Sequence, residues 1–184
     1  RFEHLSVPLL GEHQALNLGL ALAMLDQLKV AGFKIDDEQA VKALANFKIP
    51  GRMELVSTDP RILLDGAHNA ASVQALMRAV GQHIPYDSMV MVFGCASDKD
   101  IPGMMEQIAG GADKVIFTKS QNPRAADPHE LAAAYEERCG RVAQVCETLT
   151  EAMRIARSAV SREDLICVCG SFYLVGEAKK LLAS

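Results

Sequence analysis

The 184-residue chain has no tryptophan, and aromatic residues make up only 5% of it. A surface that stacks nucleic-acid bases on rings is therefore not expected. Basic blocks are also missing. Nineteen Lys and Arg are interspersed with twenty-three Asp and Glu, for a formal net charge of −4, so no phosphate-backbone footprint stands out. No apolar run approaches the ~18 residues of a membrane span. The first residues, RFEHLSVPLLGEH, lack the apolar stretch and small-residue cleavage site of a secretory signal. They also lack an initiating Met, which reads as a piece of a longer chain. The five cysteines are odd in number and include no C-x-x-C pair. Reduced core cysteines of a cytoplasmic protein are expected, since a metal site needs more ligands close by. Finally, G-x-G-x-x-G, G-x-S-x-G and G-x-x-x-x-G-K-[ST] are all absent. Without the last of these, the chain alone is not expected to hold and activate a nucleoside triphosphate.

What is present is a well-patterned apolar half, 49% of the residues, enough for one good core and a small appendage. Residues 12–31 read as a long helix with Leu18, Leu22 and Leu25 on one face and Gly32 as its stop. DDEQAVKALANF reads as a second helix, acidic in its first turn. Pro50 and Gly51 then break the pattern and mark a hinge or boundary. Beyond them MELVST and RILLD, joined by Asp59–Pro60, suggest a hairpin. From residue 61 strands and helices alternate. The strands are RILLD, SMVMVFG, KVIFTK, VAQVC and LICVCG, and helices follow over about 70–82, 101–110, 128–139, 148–160 and 171–183. Short Val- and Ile-rich strands separated by helices predict an α/β fold: a Rossmann-like, mostly parallel sheet with an antiparallel edge strand and helices on both faces. The N-terminal helical segment stands apart from it.

Open α/β sheets bind ligands beyond the carboxyl ends of their strands. The loops there are DGAHN, GCASDKD, TKSQNPRAAD and GSFYLVG. Asp65 is either an acceptor for ribose hydroxyls or a turn residue. His68 is either an anion ligand or a plain loop histidine. Asn69 and Ser171 suit helix caps. Arg52 either pairs with Glu54 or reaches a phosphate. Gly66 lets the backbone come close to a neighbour.

Taken in order, GEHQALNLGLALAML, PGRME, LLDGAHN, SDKD and GSFYLVGEAKKLL resemble the C-terminal part of the folylpolyglutamate synthase and dihydrofolate synthase family, within the Mur ligase superfamily. The likeness runs along nearly the whole chain. It implies that residues 1–46 are the helical end of a central ATPase domain and that 47–184 form a Mur ligase-type C-terminal domain that closes over it. The enzyme so implied is an ATP-dependent, cytoplasmic ligase that joins L-glutamate to a folate through an acyl phosphate. ATP, glutamate, folate and the preceding domain of the same chain are its partners. Magnesium is held upstream, and the protein is monomeric.

By position, the resemblance implies Asn17 near the adenine, Arg52 on the phosphate side of ATP and Asp65 on the ribose. It implies His68 and Ser171 near the incoming glutamate, with Lys99 supporting phosphate or the acyl intermediate. Lys99 and His68 are thus the candidate catalytic residues. The family usually has proline after DGAHN, where this chain has Ala70, a change that loosens the turn without removing a ligand. The alternatives are a non-catalytic nucleotide-binding or docking module, and the C-terminal domain of another Mur-type ligase.

Overall fold

The computed structural model describes residues 5–183, so the RFEH start of the N-terminal stretch lies outside the described residues. The chain divides into a unit ending at Pro50 and a unit beginning at Gly51. The first unit holds α1 (Glu12–Val30) and α2 (Asp37–Ala45). Gly32, at φ 94, ends the first of these, as its position in the sequence predicts. Asp36 caps α2, accepting from the N–H groups of Glu38 and Gln39 at 2.8 and 3.2 Å. Leu16, Leu20 and Met24 of α1 are exposed, while Leu18, Leu22 and Leu25 are half-buried. The helix is therefore apolar on more than one side.

The second unit is the sheet. Its strands are β1 (Glu54–Thr58), β2 (Arg61–Leu64), β3 (Met89–Phe93), β4 (Lys114–Phe117), β5 (Gln144–Val145) and β6 (Leu165–Cys169). Between and after them run α3 (Ala70–His83), α4 (Ile101–Ala109), α5 (Pro128–Cys139), α6 (Leu149–Ser158) and α7 (Phe172–Ala183). The strand order is β1-β2-β6-β3-β4-β5. Only β1 is antiparallel, paired to β2 with a register shift between Leu55 and Ser57. The predicted α/β architecture with one antiparallel edge strand is what the chain adopts.

Side-chain alternation explains the layers. In β6, Leu165, Cys167 and Cys169 face a cluster shared with α3, α4 and α5, whereas Ile166 and Val168 face a cluster shared with α6 and α7. All five are fully buried. Full burial of a large apolar side chain contributes roughly 1.5–3 kcal/mol, so apolar residues at consecutive positions mark a strand covered on both faces.

The helix starts are set locally. Asn69 and Ser72 form a reciprocal capping box at α3. Thr148 caps α6 by accepting from Glu151 N at 3.3 Å. At α5, Asp127 accepts from His129 N at 2.7 Å.

Candidate functional site

Strands β2, β3 and β6 are parallel and end at one edge, where α3, α4 and α7 begin. The first two of these helices turn to one face of the sheet and α7 to the other. Where exits diverge in this way a crevice opens, and three helix N-termini bring a favourable field for anions to its edge.

Asp65 sits at the β2 exit and is 4% exposed. Its Oδ2 accepts from Met53 N and its Oδ1 from Ala67 N, both at 2.8 Å. Met53 is held at φ 43, a left-handed conformation that costs an L-residue of order 1–2 kcal/mol. The Asp65 carboxylate therefore ties the strained approach to β1 to the turn after β2. Of the two roles open in the sequence, the turn role is visible in these contacts.

Gly66 donates its N–H to Gly51 O at 2.7 Å. A Cβ added there would lie 2.4 Å from the ring of Phe172. The close neighbour that the glycine admits is this ring. His68 Nδ1 lies 2.8 Å from Gly66 O. A carbonyl only accepts, so Nδ1 carries the proton and Nε2 is the ring's remaining polar atom. His68 N donates to Ser72 Oγ at 2.9 Å, which keeps the loop ordered with Ala70 in place of proline.

Ser171 opens α7. Its Oγ accepts from Leu174 N at 3.1 Å, leaving the hydroxyl hydrogen to donate elsewhere. The preceding Gly170 has φ 110, and a Cβ on it would fall 2.6 Å from Gly94 O, so only glycine fits. Phe172 follows, 46% exposed. The Arg52 guanidinium lies over its ring, 4.5 Å from the centroid. The His68 ring is 6.2 Å away and tilted by 49°. Arg52, His68 and Ser171 thus gather around Phe172, with Asp65 buried in the same turn.

Lys99 lies on the β3 exit, half-buried and with no ion pair among the described residues. That exit is tied to the β4 exit by Ser97 N to Arg124 O at 2.9 Å and by the Arg124–Asp98 pair at 2.8 Å. Desolvation pushes the Asp98 carboxyl up, but Arg124, the backbone and Lys99 together bring it below its ordinary value. Asn17 is in the first unit, exposed on α1, and its Nδ2 is 3.4 Å from Gln14 Oε1. A cavity of about 800 Å³ lies between the β4 exit, the start of α6 and α7, and holds none of the sequence-predicted residues. Among the described residues no group of three His, Cys, Asp or Glu could hold a metal ion. None of the helices there is long and apolar enough to cross a membrane.

Cys95, in the β3 exit, is buried, and desolvation pushes its thiol up to about 12. Cys169 is raised by its contact with Cys167 and by burial. Only Cys139 of the five is partly exposed. In the folded protein at pH 8, iodoacetamide should therefore label Cys139 and spare Cys95, Cys146, Cys167 and Cys169, as read by mass spectrometry of the peptides. Rapid labelling of Cys95 would contradict its burial.

Two features escaped the sequence reading. Phe172 lies in GSFYLVG, but its pairing with Arg52 depends on register between distant segments. The left-handed Met53 gives no signal, because methionine rarely adopts that conformation.

Comparison with known proteins places residues 51–172 in the family described as Mur ligase, glutamate ligase domain. The dihydrofolate synthase/folylpolyglutamate synthase of Mycobacterium tuberculosis is 36% identical over 163 residues, 86% of this chain and 33% of that protein. The solved structure of Mycobacterium tuberculosis folylpolyglutamate synthase complexed with ADP superposes with a TM-score of 0.89 at 30% identity, over all of this chain and 43% of that one. A bifunctional folylpolyglutamate synthase/dihydrofolate synthase with Mn, AMPPNP and L-glutamate bound gives 0.82 at 27% identity, over all of this chain and 42% of that one. The chain spans a fifth to about two fifths of the length of the curated relatives it matches.

Proposed function

The chain belongs to the Mur ligase family through its glutamate ligase domain, and from that premise we propose that it is the closing domain of an ATP-dependent ligase that adds L-glutamate to a folate. Residues 1–46 end the central ATP-binding domain, and 47–184 form the domain that meets the substrates. The observation that carries this reading is the gathering of Arg52, His68 and Ser171 at the crevice beyond β2 and β6. The glutamate and nucleotide analogue bound by one structural relative support it.

The chemistry asks for such a set of groups. A carboxylate is a poor electrophile. Transfer of the ATP γ-phosphoryl group makes it an acyl phosphate and releases ADP. The deprotonated α-amino group of glutamate then attacks the acyl carbon, and the tetrahedral intermediate expels phosphate, which carries off the surplus N–H proton as the amide forms. The reacting carboxylate and phosphates are anionic, so fixed cations and hydrogen-bond donors lower the barrier most.

Arg52 serves the phosphate side, and the Asp65 carboxylate serves the ribose. Asn17 lies by the adenine. His68 Nε2 and the Ser171 hydroxyl hold the glutamate, and Lys99 supports the charge on the acyl phosphate. A divalent cation, Mg in this reading, draws its protein ligands from outside the described residues. A docking module needs none of these groups.

The test is turnover by the intact protein. Incubated with ATP, Mg, a reduced folate and labelled glutamate, it should release one ADP and one phosphate for each amide formed. Glutamate-independent turnover, or none at all from a well-folded protein, would count against the reading.

A further inference from the structure

An exposed ring at the crevice lies against two of the residues assigned to the chemistry. Phe172 lies beneath the Arg52 guanidinium at 4.5 Å from centroid to Cζ and beside the His68 ring at 6.2 Å. Its position is built in from below as well. The ring rests on Gly66, where a Cβ would come within 2.4 Å of it, and beside Gly51, where a Cβ would come within 3.5 Å. Ser171 and Gly170 fix its backbone at the start of α7 through the 3.1 Å cap and the left-handed glycine.

We propose that Phe172 is a positioning residue: its ring face holds the Arg52 guanidinium by a cation–π contact and aims it into the crevice. The inference rests on the assignment of Arg52 to the phosphate side. An arginine on a loop loses side-chain entropy when it binds an anion, and part of that cost is removed if the guanidinium is already stacked. A planar guanidinium on an aromatic face still has its N–H groups free at the edges to meet phosphate oxygens. A flexible side chain in the same place would have to be ordered as charge develops, and this would appear in kcat. The edge of the same ring also limits where the His68 imidazole can turn, since Nδ1 is pinned to Gly66 O.

The competing idea is that Phe172 is only a partly exposed apolar residue covering Gly66. The two are separated by changing the ring's electrons and leaving its size almost alone. In the intact protein, Phe172 is replaced by mono-, di- and trifluorophenylalanine, which progressively drain the negative face of the ring, and by leucine, which fills space without a π face. If the proposal holds, kcat falls stepwise along the fluorinated series. Leucine lowers it by about threefold to tenfold, the scale of an exposed to partly desolvated cation–π contact. The KM for glutamate moves less, and in an Arg52→Ala background the same substitutions change nothing further.

A flat fluorination series, or a leucine effect that persists without Arg52, overturns it. A second readout does not depend on activity. The Arg52 Nε–Hε resonance should be shifted upfield by the ring current and return toward its unstacked position in Phe172→Leu. A resonance that does not move also overturns the proposal. If Arg52→Ala leaves turnover intact while the resonance moves, the phosphate assignment of Arg52 fails and the stacking itself stands.

Discussion

Replacing Arg52 by alanine in the intact protein is expected to lower turnover by about a hundredfold, the usual loss when a fixed partner of developing charge is removed from an active site. The effect should fall mainly on kcat. A cation on the phosphate side interacts most strongly when charge is moving from the γ-phosphoryl group to the acyl oxygen, and less with bound ATP. Stability should change little. Arg52 is half-buried, and its packing partner Phe172 is itself 46% exposed. Lysine should recover only part of the rate, because an ammonium can neither stack on Phe172 with a planar face nor present a fork of donors. Steady-state kinetics with ATP varied, beside a thermal melt, check each point.

Asp65→Ala should behave in the opposite way and act first on folding. Two backbone N–H groups, on Met53 and Ala67, lose their acceptors at a site that is 4% exposed to solvent. Each buried donor left unpaired costs about 1–3 kcal/mol, so a total loss of about 2–6 kcal/mol is expected. The left-handed Met53 loses the bond that helps to hold it. Weakened ATP binding would then follow partly from a disordered turn. Asp65→Asn keeps one side-chain oxygen and should retain part of the stability. A thermal midpoint unchanged in Asp65→Ala would mean that the carboxylate serves a ligand alone.

Much of this was legible in the sequence for simple reasons. The strands of the sheet are covered on both faces, so they appear as uninterrupted apolar runs such as MVMVF and LICVC. The helix starts carry their own caps at Asn69, Asp127 and Thr148. The antiparallel edge strand followed from a turn too short for a crossover. Of the candidate residues, Asp65, His68, Ser171 and Lys99 all fell on strand exits at one edge, as alternation of strand and helix requires.

What was not legible depends on distance through space. Nothing local says that β6 inserts between β2 and β3, and only that insertion brings Ser171 and Phe172 beside Gly66 and His68. The burial of Asp65 likewise needs Met53, twelve residues away, to turn its N–H inward. The resemblance to folylpolyglutamate synthases supplied roles that spacing alone left open between ligand and turn.

The central claim is that one turn after β2 faces both the nucleotide and the amino-acid substrate. It is tested most directly by His68→Ala in the intact protein, with glutamate and ATP varied in turn. The KM for glutamate should rise roughly tenfold to a hundredfold, or ~1.4–2.8 kcal/mol, through loss of the hydrogen bond between Nε2 and the glutamate. The KM for ATP should move far less, because Arg52 and Asp65 remain, and the thermal midpoint should stay close to that of the parent. A folded His68→Ala protein with an unchanged KM for glutamate would contradict the account.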